Sequence, residues 1–115
     1  MGRLPEVASE SVTGDEVMLT FDLEPDQLWF EGHFPEQPVL AGVLQTHWAV
    51  SFAAQYGFLS DGIPSFPRIK FKSVILPPVE LRLRLWRTDR GVRFSFSSES
   101  GLHSEGTVVV TGADG

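Results

Sequence analysis

The sequence predicts an α+β domain in which a curved antiparallel sheet encloses one long helix. Three observations lead there. Residues 40–58 form one long segment that is apolar around nearly all of its circumference, and a helix with so little polar face must be covered by other structure. Five further segments carry the apolar–polar alternation of half-buried strands, whose side chains point to opposite faces in turn. Four of these strands follow the helix without interruption, so strands and helix are segregated along the chain.

Taken in order, residues 1–13 are polar and are expected as an irregular or edge-strand lead. From Asp15 to Leu23, Val17, Leu19, Phe21 and Leu23 alternate with Glu16, Met18, Thr20 and Asp22. Glu24-Pro25-Asp26 breaks this strand, and residues 27–30 fit one helical turn or a short strand. Gly32 to Pro38 holds two prolines and one glycine, the composition of a shaped loop. The helix of residues 40–58 keeps one polar stripe, His47, Ser51 and Gln55, at successive i+4 steps. Gly57 ends it, and Asp61-Gly62-Ile63-Pro64 turns the chain. Strands are then expected over 66–76, 79–86, 92–97 and 102–111, separated by Pro77-Pro78, Asp89-Arg90-Gly91 and Ser100-Gly101, with a tail over 112–115.

At 115 residues, with 42% hydrophobic and 11% aromatic content, the chain fits one domain spanning 1–115 with a substantial core, and disorder is excluded. There is no cysteine, so disulfides, thiolate zinc sites and a cysteine nucleophile are excluded. That composition suits a cytoplasmic protein. No apolar run reaches the roughly 20 residues of a membrane helix, and no secretory leader is visible. No metal or cofactor is called for. A net charge of −6 argues against nucleic acid as a partner. The charge is uneven, however. Residues 1–67 hold Arg3 against ten acids, whereas residues 68–93 hold eight cations against Glu80 and Asp89. This basic segment, with Arg68, Lys70, Lys72, Arg82, Arg84, Arg87, Arg90 and Arg93, fits either an anionic docking surface or a solvated outer sheet face.

The chemistry concentrates in residues 29–45. His33 lies between Gly32 and Phe34-Pro35, in a proline-stiffened loop beside Trp29, Phe30 and Phe34. Such surroundings hold an imidazole neutral, as a general base requires. A loop histidine bonded to local backbone is the plainer alternative. The loop feeds the start of the helix, where Ala41-Gly42 admits a close ligand and unpaired N–H groups face it. Those donors could stabilise an enolate-like oxyanion.

The run Phe30-x-Gly32-His33-Phe34-Pro35-x-x-Pro38-Val39-Leu40-x-Gly42-Val43-Leu44-Gln45 resembles the signature of the 3-hydroxyacyl-[acyl-carrier-protein] dehydratases of the hot-dog superfamily. It looks closest to the small stand-alone members of aryl-polyene type. The resemblance implies a hot-dog fold and a homodimer, a higher homo-oligomer or a heteromer with a related hot-dog protein. It also implies an acyl tunnel at the subunit interface beside the helix. His33 would take the C2 proton of a 3-hydroxyacyl thioester, carried on acyl carrier protein or CoA. The Gly42 N–H would polarise the thioester carbonyl, with Phe34 and Val43 lining the substrate site. Arg68, Lys70, Lys72, Arg82 and Arg84 would receive the acidic carrier and its phosphopantetheine.

Two positions depart from the family pattern. Ala41 stands where proline usually precedes the helix glycine, and His47 stands where the family places a helix Asp or Glu. An imidazolium at position 47 can donate a proton to a leaving hydroxyl. A helix histidine satisfied by a neighbour is the alternative. The lost carboxylate also admits a non-catalytic acyl-binding or scaffolding subunit. A thioesterase is disfavoured because residues 40–58 contain no acid. His103, near a turn on a late strand, is expected at the surface.

Overall fold

A computed structural model describes residues 4–27, 39–60 and 62–111. Its elements in chain order are β1 (Ser9–Thr13), β2 (Glu16–Leu23), α1 (Gly42–Gln55), β3 (Ile63–Phe71), β4 (Val79–Arg87), β5 (Val92–Ser98) and β6 (Gly101–Thr111). The strands form one sheet in the order β1-β2-β4-β5-β6-β3, and every pairing is antiparallel. The α+β architecture read from the sequence is the one observed.

The alternation along the strands sets the core. Val17, Leu19 and Phe21 of β2, Leu81, Leu83 and Leu85 of β4, and Val92, Phe94 and Phe96 of β5 are all 0% exposed. They form the inward face of the sheet, and α1 lies on it through Trp48, Ala49, Phe52 and Ala53. The Phe21 ring meets Trp48 at 5.9 Å and Phe52 at 5.4 Å between centroids. Burying aromatic side chains of this size contributes about 1.5–3 kcal/mol each. Tyr56, just past the helix, donates its hydroxyl to the Glu10 carboxylate and so ties β1 to the end of α1.

Several boundaries differ from the sequence reading. The lead is a true edge strand, β1, joined to β2 through Gly14 at φ 57, where a residue without Cβ is favoured. The helix runs over 42–55 rather than 40–58, because Ala41 is extended (φ −64, ψ 145) and Tyr56 closes the last turn. β3 begins at Ile63 and accommodates Pro64 and Pro67 because it lies on the sheet edge, where a missing N–H leaves no ladder bond unmade. Its register shifts between Ser65 and Arg68. It ends at Phe71, since the N–H groups of Lys72 and Ser73 both turn to the His103 carbonyl. The segment expected at 27–30 lies mostly outside the described residues, and the 32–38 loop and the 112–115 tail lie wholly outside them.

His103 is a correction. Expected at the surface, it is 4% exposed. The β5–β6 register jumps between Phe96↔Ser104 and Ser97↔Leu102, so His103 is the extra residue of a bulge. The bulge lets His103 and Ser104 both point inward. The buried imidazole is satisfied at both nitrogens, Nε2 with Ser98 Oγ at 2.7 Å and Nδ1 with Ser73 Oγ at 2.9 Å.

Candidate active site at the start of the central helix

Among the described residues no side chain caps the start of α1, and its first turn holds no acid. Its first helical bonds run from Leu44 N and Gln45 N to the Ala41 carbonyl, at 3.1 and 3.2 Å. Gly42 and Val43 therefore sit ahead of the ladder, where helix N–H groups have no acceptor in a preceding turn. Beside them opens a cleft of about 490 Å³, bordered by Val39, Leu40, Gly42, Phe71, Lys72 and Val74 among others. Larger clefts lie between Pro5–Ala8 and the end of β2, and near Ser98–Ser100, away from the helix start.

Phe71 gives Gly42 its reason. A Cβ at position 42 would lie 3.0 Å from the Phe71 ring, so a larger residue there would press that ring outward. Phe71 itself is 53% exposed, and Val74, which also borders the cleft, is 56% exposed. Val43 was assigned to the substrate site by resemblance; at 75% exposed it faces outward from α1.

His47 is half-buried, and its Nε2 is sealed from solvent with no hydrogen-bond partner among the described residues. It does not border the cleft at Gly42. The remaining expected site residues, His33 and Phe34, lie outside the described residues, so no distance links them to Gly42 or His47.

The basic segment divides. Alternation places Arg82, Arg84 and Trp86 on the outward face of β4, opposite the buried leucines. Arg84 binds Glu16 at 2.7 Å and stacks 4.2 Å from the Trp86 ring centroid. That partner holds the Glu16 carboxyl below its ordinary value and the Arg84 guanidinium above it. Arg87 is engaged by Asp15 and the Gly57 carbonyl, and Arg93 by Glu105. Among the described residues no carboxylate pairs with Arg68, Lys70, Lys72 or Arg82. Three of these lie on or just beyond β3, and Lys72 borders the cleft. β5 and β6 stand between β4 and β3, so Arg84 and Lys70 are about 14 Å apart at the ordinary strand spacing. Neighbours in sequence are thus spread across the sheet, with Arg93 of β5 between those of β4 and β3.

Three polar side chains bordering or supporting the cleft carried no assignment from the sequence: Gln45, Ser73 and Ser104. Gln45 had a signal. It shares the spacing of Trp48, Ala49 and Phe52, which puts an amide on the core face of the helix. Ser73 and Ser104 had none, since their positions depend on the β6 bulge.

No helix among the described residues is long and apolar enough to cross a membrane. Comparison with curated proteins found no match. Among solved structures, a chain of the ApeI:P dehydratase heterocomplex of Xenorhabdus doucetiae superposes with a TM-score of 0.80 at 25% identity, covering 94% of this chain and 98% of that one. An uncharacterized protein of Erwinia carotovora subsp. atroseptica gives 0.73 at 31% identity, covering 95% and 97%. The dehydratase domain of the polyketide PpsC from Mycobacterium tuberculosis shares the fold, with a TM-score of 0.78 at 16% identity, covering 96% of this chain and 45% of that one. The family described as ApeI dehydratase matches residues 9–112, nearly the whole sequence, and the chain thus belongs to the ApeI-like dehydratases, with a hot-dog fold.

Proposed function

We propose that this dehydratase removes water from a 3-hydroxyacyl thioester, borne on an acyl carrier protein, to give the trans-2-enoyl thioester in polyketide or polyene biosynthesis. His33 takes the C2 proton. The thioester carbonyl develops enolate charge, which the Gly42 N–H stabilises at the helix start. The C3–O bond then breaks, and His47 as imidazolium supplies the proton with which the hydroxyl leaves as water. Solvent afterwards removes the proton from His33 and returns one to His47. In this reading two subunits combine, with His47 of one beside His33 of the partner subunit, and the acyl chain follows the exposed apolar surface of Val43, Phe71 and Val74. Lys72 at the cleft edge, with Arg68 and Lys70 beside it, receives the acidic carrier and the phosphopantetheine phosphate.

The observation that carries the reading is the uncapped start of α1 opening onto a cleft with Gly42 at its edge. A helix terminus of this kind leaves oriented donors free for a developing anion. A non-catalytic subunit is the second reading. It is favoured by His47 in the place of a carboxylic acid and by the heteromeric assembly of the Xenorhabdus relative.

Incubation with 3-hydroxyacyl carrier protein, followed by mass spectrometry of the acyl group, separates the cases. Loss of water is expected, and His33→Ala should reduce its rate by about 10²- to 10⁴-fold, the scale of a lost general base. Release of free acid would point instead to a thioesterase. Absence of reaction in the isolated protein, with activity only when a related subunit is added, would favour the non-catalytic reading.

A further inference from the structure

Gln45 is the polar exception on the core face of α1. Trp48 and Ala49 beside it are 0% exposed, and Gln45 itself is 4% exposed. An amide removed from water is costly unless its groups are bonded. Here Nε2 donates to the Leu40 carbonyl at 3.1 Å, and Oε1 accepts from the Ser104 hydroxyl at 2.7 Å. The amide has one workable orientation, because a carbonyl oxygen can only accept. Ser104 is 0% exposed, so these bonds face no competition from water.

The bridge acts where the backbone changes from extended to helical. Leu40 lies two residues before Gly42, and its own N–H is held by the Ile75 carbonyl at 3.0 Å. Among the described residues no side chain caps the helix at Ala41, and an uncapped start frays readily. Gln45 supplies the missing restraint from inside the core by fixing the Leu40 carbonyl to β6. Ser104 is also the ladder neighbour of Phe71, whose ring covers Gly42. One position of β6 thereby references both the helix start and the aromatic wall of the cleft.

We infer that Gln45, acting with Ser104, is a positioning residue that holds the Gly42 N–H in the orientation that receives the thioester carbonyl. This rests on the proposed role of Gly42 as oxyanion donor. Gln45 acts through the backbone, since both ends of its amide are engaged by protein. Misplacing such a donor by about 1 Å costs on the order of 10²-fold in rate.

The test uses the full chain with two variants. Gln45→Met keeps the length of the side chain and removes both bonds, and Ser104→Ala removes one. Gln45→Met should lower kcat for 3-hydroxyacyl thioester dehydration by about 10- to 100-fold while KM changes less than about threefold, the pattern of an interaction realised in the transition state. Ser104→Ala should lose less, and adding it to Gln45→Met should cost little more, because the two residues share one bond. Amide hydrogen exchange gives a readout apart from activity. The N–H groups of Leu40, Leu44 and Gln45 should exchange faster in both variants, while those of Leu83 and Leu85 in β4 should not. A folded Gln45→Met protein with wild-type kcat overturns the inference, as does unchanged exchange at Leu40 and Leu44. If the wild-type protein dehydrates no 3-hydroxyacyl thioester, the role of Gly42 fails, and local exchange alone decides whether Gln45 fixes the helix start. If Gln45→Met does not fold, Ser104→Ala carries both measurements.

Discussion

Two polar residues two positions apart on α1 have opposite environments. Gln45 has both ends of its amide bonded, whereas the sealed Nε2 of His47 has no partner among the described residues. A buried polar atom left unpaired costs about 1–3 kcal/mol, a cost that a working group recovers when substrate arrives. In the proposed reaction His47 must be protonated while His33 is neutral, so rate against pH should rise and then fall. His47→Ala should cut dehydration strongly, and His47→Glu should restore part of it with a displaced profile. A His47→Ala protein as active as wild type would reduce His47 to a helix-face residue. Glu16 allows a pH prediction of another kind. Arg84 lowers its carboxyl pKa in the folded state, so the pairing stabilises the fold above the ordinary carboxylate value. That contribution is lost as pH falls through the lowered value. Urea midpoints measured across the acid range should therefore fall less steeply for Glu16→Gln than for wild type. Being exposed, the pair should also weaken with salt.

At the scale of elements, the close approach of β3, β5 and β6 makes a testable demand. A Cβ at Gly106 would lie 2.7 Å from the Arg68 carbonyl oxygen and 2.9 Å from the Phe94 ring. Backbone on one side and a core aromatic on the other leave no room to yield, so Gly106→Ala should destabilise by about 1–3 kcal/mol, the usual scale of overpacking. Chemical denaturation reads this directly, and an unchanged midpoint would mean that β3 can shift away. The strands were legible because alternation is local: Val17-Leu19-Phe21 and Leu81-Leu83-Leu85 announce their own inward face. The bulge was not. His103 reads as exposed from its neighbours along the chain, and only the β5 register turns it inward between Ser73 and Ser98. The start of α1 was misplaced for a similar reason, because Leu40 and Ala41 continue the apolar pattern while the backbone is still extended. The Gly42-to-Gln45 motif was readable as a string, but the role of Gln45 depends on Ser104, 59 residues away.

For the whole molecule, the two ends of the sheet differ. β1 is short and polar, whereas β3 leaves an open edge with Ile63 at 69%, Phe71 at 53% and, just beyond, Val74 at 56% exposed. An open edge flanked by apolar side chains invites pairing with another chain. Light scattering at micromolar concentration should therefore give a species of at least two subunits, and Val74→Asp should shift it toward monomer with loss of activity. A wild-type monomer would reject that assembly. The unpaired cations on and beyond β3 add a charge test. Replacing Lys70 and Lys72 by alanine should raise KM for carrier-bound substrate while leaving KM for a small uncharged thioester near wild type. Equal effects on both substrates would assign these lysines to the cleft itself rather than to the carrier.

The strand order has a consequence for synthesis. Among the described residues β3 pairs only with β6, which leaves the ribosome after β4 and β5 have both been made. Until residues 101–111 emerge, the Phe71 side of the cleft has no ladder to attach to, and Gln45 has no Ser104 to bind. The nascent chain can therefore gather β1, β2, β4 and the helix into a partial core while its prospective site stays unassembled. Ribosome-arrested chains carried out of the exit tunnel as far as residue 98 by a C-terminal spacer should show protected β2 and β4 amides beside an unprotected β3. Extension through residue 111 should protect β3 and the start of α1 together. The side of the molecule that carries the proposed site would thus be completed last, as one late cooperative event.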